Sequence, residues 1–280
     1  MKWIARREAL VGGAALFVAP LAHARETNII WFRDGPFKGA LVVGRVALGT
    51  KVWVEENPVR VTEGLFAFGI GRDDAKTVLV RALFPDGSIK TRHVKPLLRK
   101  YDIQSIKGLP EDLVTPPKDV EERIARENAL VGEARSHDTD EIWFSEKFDW
   151  PASGPISGVF GSQRILNGEP KAPHNGVDIA AGEGAPVRAP VDSIVALAEP
   201  DFYLTGGTVV LDHGHGVSTT YLHMSRLDTK VGDRLKRGDQ FGAVGHKGRA
   251  TGPHLHWAMN WFQVRLDPSL VASSPAPTKA

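Results

Sequence analysis

Seven of the ten histidines in this chain, His174, His213, His215, His223, His246, His254 and His256, fall between residues 174 and 256. An even scatter would put about three there. Four of them, with Asp178, lie in three short segments: Pro173-His174-Asn175-Gly176-Val177-Asp178-Ile179, Thr220-Tyr221-Leu222-His223-Met224-Ser225 and Gly252-Pro253-His254-Leu255-His256-Trp257. In an extended strand alternate side chains share a face, so residues i, i+2 and i+4 converge. His254 and His256 can therefore enter one cleft, and so can His174 and Asp178. Two neutral imidazoles and one carboxylate form a three-ligand zinc set that leaves the fourth position open for water. An open position is what a hydrolytic metal site needs. A lone His-x-His is weak evidence, and a lone His-x-x-x-Asp is weaker. Both together in one Gly-rich β-patterned region, with His223 between them, point to a site.

Composition narrows the chemistry. The chain has 280 residues, 42% hydrophobic and 24% charged, which excludes a mainly disordered or collagen-like protein. Cysteine is absent. That excludes disulfides, a cysteine nucleophile, thiolate-ligated zinc and a lipid-modified N-terminal cysteine, so a metal site must be built from His, Asp and Glu. Lys+Arg number 35 against 33 Asp+Glu, a formal charge of +2. The whole excess lies in residues 1–24, and the rest is balanced. No basic nucleic-acid patch is expected, nor binding that rests on bulk charge.

The N-terminus reads Met1-Lys2-Trp3-Ile4-Ala5-Arg6-Arg7, then an apolar run to Ala22, then Ala22-His23-Ala24. A basic start, a short apolar core and a small-x-small end predict a signal peptide over 1–24, with the mature chain starting near Arg25. The run is shorter than the roughly 20 residues of a membrane span. Arg6-Arg7 resembles a twin-arginine export signal. The expectation is an exported, non-lipidated protein of the periplasm or cell envelope, with no integral membrane segment in the mature chain.

The elements that must position the site are β-strands. Short β-rich runs at 29–32, 40–46, 52–54, 59–61, 65–68 and 78–84, with Pro85-Asp86-Gly87-Ser88 as a hairpin turn, predict a small antiparallel sandwich or barrel over 25–100. Residues 101–150 read as a linker with one helix at about 117–136. It is expected to be a solvated connector carrying Asp119–Arg123 and Glu122–Arg126 pairs. Strand runs at 187–191, 194–197, 208–211, 217–221 and 241–244 predict a second, Gly-rich antiparallel domain over 151–272, and 273–280 reads as a flexible tail. The fold class is mostly all-β.

Residues 151–269 resemble the lysostaphin-type (LytM-type) zinc endopeptidases that cleave bacterial cell-wall peptides. The resemblance rests on His174-Asn175-Gly176-Val177-Asp178, Val209-Leu211-Asp212-His213-Gly214, Tyr221-Leu222-His223, Val231-Gly232-Asp233 with Lys236 and Gly238, and Gly248-Arg249-Ala250-Thr251-Gly252-Pro253-His254-Leu255-His256. It implies Zn2+ held by His174, Asp178 and His256, with His223 and His254 as the catalytic histidines. The absence of a His-Glu-x-x-His helix agrees, because no adjacent Glu offers itself as base, while histidine exchanges protons near neutral pH. The implied reaction is hydrolysis of peptidoglycan stem peptides or cross-bridges by zinc-activated water assisted by the two histidines. Which histidine is the base stays open.

His213 reads as a structural hydrogen-bonding residue, His215 as a loop residue, and His246 as a residue shaping the cleft. His93 reads as a structural or surface residue. The competing function is a non-catalytic cell-wall binding module that regulates other peptidoglycan hydrolases. A third reading keeps the chemistry intact but lets the 101–150 connector or the N-terminal segment cover the cleft.

Overall fold

The structure is a computed structural model that describes residues 28–33 and 35–273. The leader at 1–24 and the tail beyond Ser273 lie outside the described residues. Two small antiparallel sheets come first. One orders Trp31–Arg33, Leu41–Arg45 and Leu65–Gly69. The other orders Asn57–Val59, Lys51–Val54, Val78–Leu83 and Ile89–Val94. The expected hairpin is present, with Leu83 paired to Ile89 and Val78 to Val94 around Pro85–Ser88.

The strands Leu41–Arg45 and Leu65–Gly69 of the first small sheet are buried on both faces. Val42, Phe66 and Phe68 join Val52, Val80 and Phe84 in a core between the two sheets. Leu41, Val43, Leu65 and Ala67 turn the other way, into the large core that also holds Tyr221, Trp257, Met259 and Leu266. A strand covered on both sides reads as a continuous apolar run, as 40–43 and 65–68 do. The N-terminal sheets therefore share hydrophobic core with the region that carries the histidines. Arg99 adds an ion pair to the buried Asp267 at 2.8 Å, and Arg72 donates to the Gly161 carbonyl at 2.8 Å.

The large sheet runs Arg234–Leu235, Ser193–Phe202, Gly206–Asp212, Val217–Leu227, Leu255–Trp261, Val177–Ile179, Ile156–Gly158, antiparallel throughout. Pro186–Arg188, Gln240–Val244 and Val264–Leu266 attach beside it.

The connector holds more structure than a linker with one helix. Ile103–Ile106 forms a strand parallel to Gln163–Leu166, and a short helix, Glu111–Val114, precedes the long one, Lys118–Ala134. The long helix also departs from the solvated reading. Ala134 and Val131 pack on Ala196, Leu197, Phe202 and Val210, so one side is held against the large sheet. Glu122 and Arg126 form their i,i+4 pair at 3.8 Å. Arg123 pairs forward with Glu127 at 2.6 Å instead of back to Asp119, because Glu127 is also anchored by the Tyr203 amide at 2.9 Å.

Candidate metal centre and cleft

Asp178 and His256 are register partners on adjacent antiparallel strands. Directly opposed residues put their side chains on one face with Cβ atoms about 4.5–5.5 Å apart. His256 Nδ1 lies 2.9 Å from Asp178 Oδ1. His174 reaches the same point differently. It lies in irregular backbone ahead of the strand Val177–Ile179, so strand alternation does not explain its convergence with Asp178. Gly176 does. A Cβ there would stand 2.5 Å from the Trp257 carbonyl oxygen and 2.7 Å from His256 Nε2. Only a residue without a side chain lets the segment lie that close to Leu255–Trp261. His174 Nε2 then sits 3.0 Å from both Asp178 Oδ1 and His256 Nδ1.

The second polar atoms of His174 and Asp178 are already engaged. His174 Nδ1 lies 3.0 Å from the Val159 carbonyl. A carbonyl only accepts, so Nδ1 carries the proton and Nε2 keeps its lone pair. Asp178 Oδ2 accepts from Arg164 Nη2 at 2.7 Å. Gly158, the register partner of Asp178 on the other side, clears room for that pair: a Cβ there would meet Asp178 Oδ2 at 2.3 Å. Burial pushes the Asp178 carboxyl up, but the two imidazoles beside it outweigh burial and hold it well below the usual range. Burial pushes His256 down to about 4. An ionised carboxylate and neutral imidazoles are the forms a metal ion requires. Among the described residues, His174, Asp178 and His256 form a group able to hold a metal, all buried, with donor atoms within 4.8 Å of one another.

His223 and His254 flank this group, their rings 4.8 Å apart centroid to centroid. The strand Val217–Leu227 bulges here. Tyr221 and Met224 pair with Val209 and Gly207, so three steps on one strand face two on the other, and His223 takes a positive φ of 66°. A bulge re-aims a side chain. Thr220 and Leu222 face the cleft by alternation, and the bulge adds His223 to them. Its Nδ1 lies 2.8 Å from the Lys247 carbonyl, and His254 Nδ1 lies 2.9 Å from the Gly252 carbonyl. Both Nδ1 atoms therefore carry protons, which leaves each neutral ring's Nε2 as an acceptor. His254 Nε2 is 3.9 Å from Asp178 Oδ1. Burial, then repulsion from His254 and His256, pushes His223 down to about 3.

The five residues line one cleft of about 650 Å³. Its other wall comes from the connector, through Gln104, Ile106, Ile124, Glu127, Val131 and Arg135. His213 is fully buried away from the cleft, with Nε2 2.7 Å from Thr219 Oγ1, a structural role. His215 sits in a turn at φ 53°, but it is buried against the N-terminal sheets, 2.9 Å from Thr62 Oγ1. His246 is exposed, 3.1 Å from Glu183, and is not among the cleft-lining residues. His93 is exposed, on the strand Ile89–Val94. Arg164 is the functional residue that sequence reading missed. It lies 14 positions from Asp178, and no short spacing marks it.

Residues 172–268 match the family model for peptidase family M23. Among curated proteins, the peptidoglycan DD-endopeptidase ShyA of Vibrio cholerae is 42% identical over 88 residues, covering 31% of this chain and 20% of that protein. The cell division protein DipM of Caulobacter vibrioides is 32% identical over 131 residues, covering 45% of this chain and 21% of that protein. The chain thus spans about a fifth of the length of these relatives. A crystal structure from Pseudomonas aeruginosa assigned to peptidase M23 covers 86% of this chain and 96% of its own, at 27% identity and a TM-score of 0.64. That likeness takes in the N-terminal sheets as well as the histidine region. With the fold, the family match and the convergent residues in agreement, residues 172–268 form a domain similar to peptidase family M23.

Proposed function

We propose that this chain is an exported zinc metalloendopeptidase that hydrolyses peptide bonds of peptidoglycan, in stem peptides or cross-bridges. The observation that carries the reading is the convergence of His174 Nε2, Asp178 Oδ1 and His256 Nδ1 at 2.9–3.0 Å, with the second polar atoms of His174 and Asp178 already engaged. Two nitrogens and one carboxylate oxygen suit zinc, and three protein ligands suit a catalytic rather than a structural site. His174, Asp178 and His256 would hold the ion. When bound, zinc supplies Lewis-acid polarisation of the scissile carbonyl and lowers the pKa of a water to about 7.

The chain's own residues do the rest. His223 and His254 each turn Nε2 toward the centre, with the opposite nitrogen tied to a backbone carbonyl. Either can take the proton released from the attacking water and return it to the leaving amine. In protonated form either can stabilise negative charge developing on the carbonyl oxygen. The name of the Vibrio cholerae relative supports a peptidoglycan substrate, and the leader pattern supports export. No helix among the described residues is long and apolar enough to cross a membrane.

The test uses purified full-length protein on isolated cell wall, with zymography and mass spectrometry of released fragments, with and without a chelator. His256→Ala and Asp178→Ala should lose bound zinc and hydrolysis together. His223→Ala should keep zinc and lose at least about 100-fold in rate. Full activity in either ligand variant would sink the assignment. A protein that binds cell wall but releases no peptide fragment would be the non-catalytic module instead.

A further inference from the structure

The mature chain is close to electrically neutral, yet four arginines, Arg135, Arg164, Arg249 and Arg265, line the one cleft that holds the metal-type centre. Arg164 is matched by Asp178. Arg135 and Arg265 have no carboxylate partner among the described residues. Arg135 is only 7% exposed, and its Nε is buried with no hydrogen-bond partner. Its printed contact is a long one, Nη2 to Thr220 Oγ1 at 3.5 Å. Arg265 has only the Asn260 Oδ1 at 3.4 Å. Burial, and then the charge of Arg265, push Arg135 down to about 9. The connector's own cleft-facing acid does not relieve this. Glu127 accepts from Arg123 at 2.6 Å and from the Tyr203 amide at 2.9 Å.

Burying two guanidinium groups side by side without an anion is unfavourable. Position alone does not repay it: Arg135 caps the C-terminus of Lys118–Ala134, and a cation there gains only a weak helix-dipole interaction. Two unmatched guanidiniums in a cleft are suited to an oxyanion received by their planar N–H forks, and on a peptide that group is a carboxylate.

We infer that Arg135 and Arg265 form a carboxylate-binding subsite that selects peptides bearing a free acid near the scissile bond. The inference rests on the peptidase reading above and names its substrate class: an acidic peptide. The sheet register gives the spacing. Leu222 is opposite His256 and Thr220 is opposite Ala258, one alternation further along the same cleft face. Two residues along a strand span about 6.6–6.8 Å. An extended peptide advances about 3.3–3.6 Å per residue, so the recognised acid belongs about two residues from the bond cleaved. The connector thus supplies selectivity through Arg135.

The test compares two synthetic peptides of stem-peptide type, identical except that one carries free carboxylates and the other the corresponding amides. Calorimetric titration uses metal-free full-length protein, so the binding readout is independent of turnover. The acid form should bind at least about tenfold tighter. Arg135→Met and Arg265→Met should erase the preference, and Arg135→Lys should keep part of it. Equal affinity for acid and amide in the unmutated protein, or no binding of the acid form, overturns the subsite without recourse to any variant. Hydrolysis by the zinc-loaded protein separates this result from the wider reading. Cleavage of both peptides with equal kcat/KM overturns the subsite and leaves the peptidase standing. Selective binding of the acid form without cleavage of either does the reverse.

Discussion

Arg164 holds the outer oxygen of Asp178 at 2.7 Å while the inner oxygen of the same carboxylate faces His174 and His256. The two oxygens of Asp178 thus have separate duties. Arg164 orients the carboxylate and limits its rotation, so that Oδ1 stays in the plane where both histidine nitrogens converge. Partners one step out from a ligand commonly set metal affinity by 10–100-fold.

Arg164→Met should therefore weaken zinc binding by about 10–100-fold while the fold persists. Competition against a chromophoric chelator gives the affinity, and far-UV circular dichroism reports the fold. Unchanged affinity in a folded variant would show that Asp178 needs no such support.

His213 makes the fold sensitive to acid. Burial pushes its pKa to about 3 in the folded protein, against about 6.5 when unfolded. As pH falls below about 6.5 the unfolded chain binds this proton first, so stability is complete above that value and is lost on descending toward 3. The slope is at most about 1.4 kcal/mol per pH unit for the one group. Urea unfolding from pH 7 to pH 4 should show a shallower decline in His213→Gln than in the unmutated protein. Parallel curves would mean that His213 does not titrate on unfolding.

The two strands buried on both faces couple the two halves of the molecule. Leu41, Val43, Leu65 and Ala67 share one core with Met259 and Leu266, and His215 is hydrogen-bonded to Thr62 across the same boundary. Calorimetry should give one cooperative transition. Leu65→Ala should lower it as a whole, at a cost of about 2–5 kcal/mol. Two resolved transitions, with only the first moved by the substitution, would show that the halves unfold independently.

How much of this was readable beforehand depends on the range of the interaction. Strands such as Leu65–Gly69 and Val78–Leu83 declare themselves through local apolar patterning, and the His-x-His spacing survives into the structure, with His256 on the strand Leu255–Trp261 and His254 in the β-bridge just before it, both lining the cleft. His174 converges for a reason that alternation does not contain, the close approach at Gly176. The bulge that turns His223 inward depends on Gly206–Asp212, the neighbouring strand. Ile103–Ile106 looks like a polar loop because it is half exposed and pairs with a strand some 60 residues away. The regional charge count is correct, yet it says nothing of where arginines gather once the chain is folded.

The matched stretch, 172–268, includes His174, Asp178, His223, His254 and His256. The facing wall of the cleft, from Gln104 to Arg135, lies wholly upstream of it. The proposed carboxylate subsite straddles this boundary, with Arg135 on the connector and Arg265 inside the matched stretch. A graft of the matched stretch onto another protein would therefore carry the metal-type centre and Arg265 but leave behind Arg135 and the whole connector wall of the cleft.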